Sequence, residues 1–75
     1  MINMEQEIDY KAQDKQRILE YLKNAGMEVK VDSLIQESGA ERLRVYPILF
    51  ELMQDRLISV VSEDNLGAPV CVKLI

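Results

Sequence analysis

The side chains best suited to binding a ligand lie close together at the start of a predicted helix. They are two guanidinium groups and a phenol, from Arg42, Arg44 and Tyr46. A helix N-terminus carries free backbone N–H groups and a partial positive charge, so it attracts anions, and two arginines would strengthen that attraction. Lys73, on a later predicted strand, is a further candidate for contact with a phosphate backbone. These four residues predict a site for double-stranded DNA.

Each of these residues also has a structural interpretation. The two arginines could be solvated surface, or paired with Glu41 and neighbouring acids. Tyr46 and Phe50 lie four residues apart on the flank of the helix, where aromatic pairs more often complete a core than contact a base or a partner. If both rings were exposed, they would instead mark a protein interface.

The composition argues against catalysis. The chain has no histidine and one cysteine, Cys71, so it lacks the usual general base and any pair of thiolates for a metal. It also lacks a glycine-rich phosphate loop and a nucleophile beside an evident base. We therefore expect no enzyme, no cofactor and no metal site. Cys71 is expected to pack as a small apolar residue, and a single cysteine fits a reducing compartment.

Length and charge limit the class of protein further. A chain of 75 residues has room for one small domain. Its net charge of −4 and pI near 4.7 are the reverse of the basic balance of a dedicated nucleic-acid binder. The sequence contains no apolar run long enough to span a bilayer and no signal-peptide pattern at its start. It is therefore expected to be cytoplasmic, without membrane contact.

The helix that carries the arginines has a clear buried face. Its apolar residues recur at spacings of three and four and are Val45, Ile48, Leu49, Leu52 and Met53. The opposite face, which a partner would meet, is expected to carry Arg44, Pro47, Glu51, Gln54 and Asp55. An interior proline costs about 3 kcal/mol but costs little in the first turn, so the helix is predicted to begin near Leu43 or Arg44.

A first helix is predicted over residues 14–25, with Asp14 as its N-cap and a glycine as its stop signal. An earlier start near Met4 is the alternative, because neither glycine nor proline interrupts the preceding residues. Residues 1–13 are accordingly predicted to be a leader or a helix extension, and residues 14–75 the folded domain.

A helix-turn-helix and a β-hairpin complete the predicted order. Val29 and Val31 indicate a short strand, and residues 33–38 a brief helix that ends at a glycine turn. Residues 58–61 and 70–74 are rich in β-formers and flank a loop containing Asn, Gly and Pro, which predicts a hairpin. Three helices, a short strand between the first two and a C-terminal hairpin make an α+β fold, the winged helix-turn-helix.

The segment Val-Tyr-Pro-Ile-Leu-Phe-Glu-Leu at residues 45–52, followed by Arg-Leu-Ile at 56–58, resembles the recognition helix of the PadR-like family of bacterial winged-helix transcription regulators. The resemblance covers roughly residues 15–62, and its most specific element is the pair Tyr46 and Pro47. It implies a DNA-binding regulator of transcription. The family's C-terminal dimerisation helix is missing, so any dimer is expected to use another surface.

Three positions depart from the family pattern. Phe50 and Glu51 stand where recognition helices of the family usually place basic residues, after the Leu pair. A carboxylate there has the wrong sign for contact with phosphate, although it can accept a hydrogen bond from cytosine. Arg56 replaces a glycine. The helix therefore either ends without a left-handed residue, or Arg56 carries about 1 kcal/mol or more of strain.

Two functions of different classes follow from the sequence. The first is a DNA-binding transcription regulator that uses Arg42, Arg44, Tyr46 and Lys73. The second is an acidic winged-helix protein-interaction module, including a homodimerisation module, that does not bind DNA.

Overall fold

The structure, a computed structural model, describes residues 9–75, which form three helices and three strands. In chain order these elements are α1 (Tyr10–Ala25), β1 (Val29–Lys30), α2 (Val31–Glu37), α3 (Arg42–Gln54), β2 (Ile58–Glu63) and β3 (Pro69–Leu74). This is the predicted α+β order, with a short strand after the first helix and a C-terminal hairpin. The arrangement is compatible with a winged helix.

The three strands form one antiparallel sheet in the order β1-β3-β2. In the central strand, Val72 pairs with Val29 of β1 on one side and with Val60 of β2 on the other. The hairpin register shifts between Val60 and Ser62, which leaves Val61 as the extra residue of a β-bulge. Because β3 also pairs with β1, the hairpin is tied to the helical part of the chain.

One apolar core joins the helices to the sheet. The α3 residues Val45, Ile48, Leu49 and Leu52 are each 0% exposed, as their spacing predicts, and Met53 packs partly buried against them. The remaining buried apolar residues come from the other elements and the α2–α3 turn and are Ile18, Leu22, Val31, Leu34, Ala40, Ile58 and Val72. Apolar burial of this kind is the main stabilising contribution in a small domain.

Helix α1 begins before the predicted start at Asp14, so that prediction is wrong. Asp9 is the N-cap, and its Oδ1 accepts a hydrogen bond from the N–H of Ala12 at 3.0 Å. Asp14 lies inside the helix and is buried. Residues 10–13, predicted to be a leader or a helix extension, extend α1 as its first turn. The alternative start near Met4 lies outside the described residues.

Helix α2 begins at Val31, two residues before the predicted start. Val31 is only 1% exposed, because it enters the core instead of continuing the alternation of the strand. Helix α3 begins at Arg42 and contains Pro47 as an interior residue. The start predicted for α3 from the cost of an interior proline is therefore one or two residues late.

Arg56 follows α3 in the left-handed conformation that glycine usually adopts, with φ at 62°. Its N–H donates to the carbonyl of Met53, and the N–H of Leu57 donates to the carbonyl of Leu52, both at 3.0 Å. These two hydrogen bonds form a Schellman motif, which ends the helix. Of the two alternatives drawn from the sequence, the strained left-handed arginine is confirmed.

Candidate functional site

Helix α3 presents an exposed stripe that is mainly apolar. Leu43, Pro47, Phe50 and Gln54 are all exposed, and steps of four, three and four residues place them on one side of a helix. Leu43 is 82% exposed and Phe50 is 47% exposed. We call these four residues the outward stripe, since they lie opposite the core. Gln54 supplies the only hydrogen-bonding side chain of this surface.

The outward stripe differs from the partner face expected from the sequence. Pro47 and Gln54 belong to it, but Glu51 is half-buried and faces α1. The Glu51 carboxylate accepts a hydrogen bond from Lys15 Nζ at 3.0 Å and pairs with Lys11. These hydrogen bonds, first from Lys11 and then from Lys15, lower the pKa of Glu51. The packing of α1 against that side of α3 thus engages Glu51 in ion pairs while leaving it partly exposed.

Arg44 is held by a buried carboxylate on α1. Its Nε donates to Asp14 Oδ2 at 2.6 Å, and the backbone N–H of Glu41 donates to the same oxygen at 3.1 Å. The Arg17 guanidinium lies 3.5 Å from Asp14 Oδ1. The hydrogen bond from Arg44 holds the pKa of Asp14 below its usual value, although burial acts in the opposite direction. Arg44 also stacks 5.5 Å from the ring centre of Tyr10.

Glu41 occupies part of the helix end that was expected to receive a phosphate. Its Oε1 accepts the N–H of Leu43 at 3.3 Å, and its carbonyl accepts the N–H of Arg44 at 2.9 Å. The open cleft beside this end is lined by the charged residues Asp14, Arg17, Glu41, Arg42 and Arg44. Three guanidinium groups thus face two carboxylates, which gives a small positive excess and not a continuous basic surface.

The structure brings together two of the four residues predicted to contact DNA. Arg42 and Arg44 line the cleft at the start of α3. Lys73 lines another cleft, at the C-terminal end of α1 beside Lys23. Tyr46 lines a third, between α3 and the hairpin, and packs against the core. The predicted site is therefore divided among three clefts.

The two aromatic residues of α3 have different surroundings. Tyr46 is half-buried against the core, as predicted, whereas Phe50 is exposed and belongs to the outward stripe. Leu43 was not identified from the sequence, although its helical spacing to Pro47 and Phe50 was a visible signal. The role of Asp14 had no such local signal, because its partner Arg44 lies thirty positions away.

The tip of the hairpin offers no basic side chain. Asp64 Oδ1 accepts the N–H groups of Leu66 at 2.8 Å and Ala68 at 2.9 Å, while Gly67 supplies a positive φ of 86°. Asp64 therefore shapes the turn. Leu66 is 94% exposed, so the tip presents an acid and a leucine where a DNA-reading wing favours cations.

Within residues 9–75, no three or more histidine, cysteine, aspartate or glutamate side chains are grouped to hold a metal ion. Cys71 in this range is a half-buried free thiol. None of the helices described combines the length and the apolar composition that a membrane crossing requires. Comparison of the chain with protein-family models and with curated proteins finds no match.

Proposed function

We propose that this chain is a winged-helix protein-interaction module that docks through the outward stripe of α3. The observation that carries the proposal is the exposure of Leu43, Pro47 and Phe50 on the helix that a DNA-binding winged helix would place in the groove. Exposed large apolar side chains lose their contact with water when a partner covers them, and this is favourable. The cytoplasmic setting expected from the sequence is part of the proposal.

The chemistry of the outward stripe suits a protein better than a nucleic acid. Base edges are read by hydrogen-bonding side chains, and phosphates by cations. The stripe has one amide, Gln54, and no charge. Arg44 and Glu51, which flank it, are engaged by Asp14 and by two lysines of α1. An apolar centre with a polar edge is instead the usual anatomy of a protein interface.

The test compares Phe50→Asp with the matched control Leu66→Asp, which places the same charge on another exposed apolar residue. Tagged proteins are cross-linked in a lysate of the natural cells, and the retained proteins are quantified by mass spectrometry. We expect the wild type and Leu66→Asp to retain the proteins that bind through the outward stripe. We expect Phe50→Asp to lose them. Equal recovery with all three would contradict the proposal.

A second candidate function is duplex DNA binding by a PadR-like transcription regulator. The specific observation in its favour is the group of Arg17, Arg42 and Arg44 around the cleft at the start of α3. This function predicts a mobility shift of duplex DNA at low salt. Loss of one phosphate contact in Arg42→Ala would reduce the slope of log affinity against log salt by about one.

The matched control for DNA binding is Arg56→Gly, which removes an equal charge at the opposite end of α3. A shift that is weakened by Arg42→Ala and retained by Arg56→Gly would support the DNA function and count against the docking proposal. No shift at micromolar protein in low salt would exclude the DNA function.

A further inference from the structure

We infer that the outward stripe, before a partner protein binds, is covered by the N-terminal segment of the same chain, residues 1–8. This inference rests on the proposed function, because it names what controls access to the same docking surface. Three observations carry it: the place where the segment joins the described structure, its length, and its side chains.

Helix α1 begins beside the middle of the outward stripe. The ring centre of Tyr10, its first residue, lies 5.5 Å from Arg44 Cζ, and Lys11 pairs with Glu51. Pro47 follows Arg44 by three residues and precedes Glu51 by four, so it is a neighbour of both on the surface of α3. The first turn of α1 is therefore adjacent to the part of the stripe that Pro47 forms.

The chain departs from the helical path at Asp9. This N-cap residue has φ at −85° and ψ at 88°, outside the helical region. Asp9 also lines a cleft with Lys15 and Glu51, on the flank of α3 that α1 covers. Because a non-helical residue changes the direction of the chain, the N-terminal segment joins the domain next to the stripe and off the line of α1.

The N-terminal segment is long enough to cover the whole stripe. Eight residues reach about 26 Å when they are extended. The stripe runs from Leu43 to Gln54 on α3 and spans about 16 Å along the helix axis. The segment starts near the middle of the stripe, so both ends of the stripe lie within its reach.

Half of the side chains in the segment are apolar, and they are Met1, Ile2, Met4 and Ile8. Methionine is flexible, so it adapts to an irregular apolar surface such as that of Pro47 and Phe50. Covering these exposed side chains removes apolar surface from water, which is favourable. Because the segment is attached to the domain, its effective concentration at the stripe is about millimolar. A weak apolar contact therefore suffices to cover the stripe.

The charge of the segment suits the far side of the stripe. The segment contains Glu5 and Glu7 but no lysine or arginine. Arg42 is exposed on the flank of α3 away from α1, and it has no ion pair within residues 9–75. It also lies in the first turn of α3, at the positive end of the helix dipole. A segment that crosses the stripe from the α1 flank brings its carboxylates towards this positive end.

Nuclear Overhauser effects test the contact itself. Phe50 is the only phenylalanine of the chain, so the signals of its ring are assigned without ambiguity. We expect effects between this ring and the methyl groups of Ile2 or Met4 in a dilute sample. The absence of these effects would overturn the inference. Effects that arise only between labelled and unlabelled copies in a mixed sample would assign the contact to a second copy, and would also overturn it.

A matched pair of substitutions separates apolar contact from charge. Met4→Asp places a carboxylate on an apolar residue of the segment, and Asn3→Asp places the same charge on its polar neighbour. We expect Met4→Asp to move the backbone amide signals of Phe50 and Gln54, and Asn3→Asp to leave them near their wild-type positions. Equal displacement by the two variants, or none by either, would contradict an apolar contact between the segment and the stripe.

Retention from the lysate distinguishes this inference from the proposed function. A covered stripe lowers the apparent affinity for a partner, so Met4→Asp is expected to retain at least about twice as much of the proteins that Phe50→Asp loses. Equal retention by Met4→Asp and wild type would overturn the inference and leave the proposed function standing. If Met4→Asp also retained nothing through Phe50, the proposed function would fail, while the contacts of the Phe50 ring would still establish that the segment covers the stripe.

Discussion

Asp14 connects α1 to the start of α3 through a buried carboxylate. The carboxylate accepts hydrogen bonds from Arg44 Nε and from the N–H of Glu41, and Arg17 lies close by. Asp14 is 2% exposed, whereas the Arg44 side chain keeps 39% of its surface in water. The arginine therefore remains partly hydrated if its partner is removed, which limits the cost of breaking the pair.

Replacing Asp14 by asparagine is expected to destabilise the fold by about 2 kcal/mol, because a charge-assisted hydrogen bond is replaced by a neutral one. Urea unfolding at neutral pH measures the change. The matched control is Asp9→Asn, the same replacement at the N-cap of α1, which should cost little because asparagine caps equally well. Equal stability of the two variants would contradict the role assigned to Asp14.

The same carboxylate makes the stability depend on pH. The folded-state pKa of Asp14 is lowered, first by the hydrogen bond from Arg44. A lowered pKa contributes stability that is complete above the unfolded value of about 4 and is lost as pH falls through the folded value. We expect urea midpoints to fall from pH 5 towards pH 2, and to fall less in Asp14→Asn. An identical decline in both proteins would assign the acid sensitivity to other carboxylates.

The end of α3 is strained because Arg56 adopts a φ of 62°. The Schellman hydrogen bonds to Met53 and Leu52 hold the residue in this conformation. A side chain in the left-handed region costs about 1 kcal/mol relative to glycine, which has no Cβ to clash. Natural chains accept such strain when the surrounding structure determines the turn.

Arg56→Gly is therefore expected to stabilise the protein by about 0.5 to 1 kcal/mol, measured as a higher urea midpoint. The neighbouring substitution Asp55→Gly provides the control. Asp55 has an ordinary right-handed φ of −79°, so glycine there should add freedom to the unfolded chain, remove the ion pair with Lys15 and lower the midpoint. A decrease in stability with Arg56→Gly would contradict this account of the helix end.

The sequence predicted the buried side of α3 better than its exposed side. The spacing of Val45, Ile48 and Leu52 was sufficient for the core, because the helical period is a local property. It was not sufficient for Arg44 and Glu51, since their positions depend on which flank α1 covers. The start of α1 was misplaced for a related reason: Asp14 resembles an N-cap locally, but its partner lies on α3.

The molecule as a whole is acidic, and four of its nine cations are engaged in ion pairs between or within α1 and α3. Lys11 and Lys15 pair with Glu51, and Arg17 and Arg44 with Asp14. The composition predicted the net negative charge, but not the division of the candidate DNA-contacting residues among separate clefts. That division arises because the packing of three helices on a sheet decides which side chains share a cleft, and this packing brings together residues that are distant in sequence. The uncharged stripe that includes Leu43 and Phe50 is left open on α3, beside the exposed Arg42.

The uncharged outward stripe of α3, and not the arginine-lined cleft, is the proposed recognition surface. The measurement follows backbone amide chemical shifts, first as a protein that the wild type retains and Phe50→Asp does not is added. Short duplex DNA is then added at low salt. We predict shifts centred on Leu43, Phe50 and Gln54 when that protein is added, with little response to DNA. Shifts at Arg42 and Arg44 on adding DNA, with an unresponsive stripe, would contradict the claim.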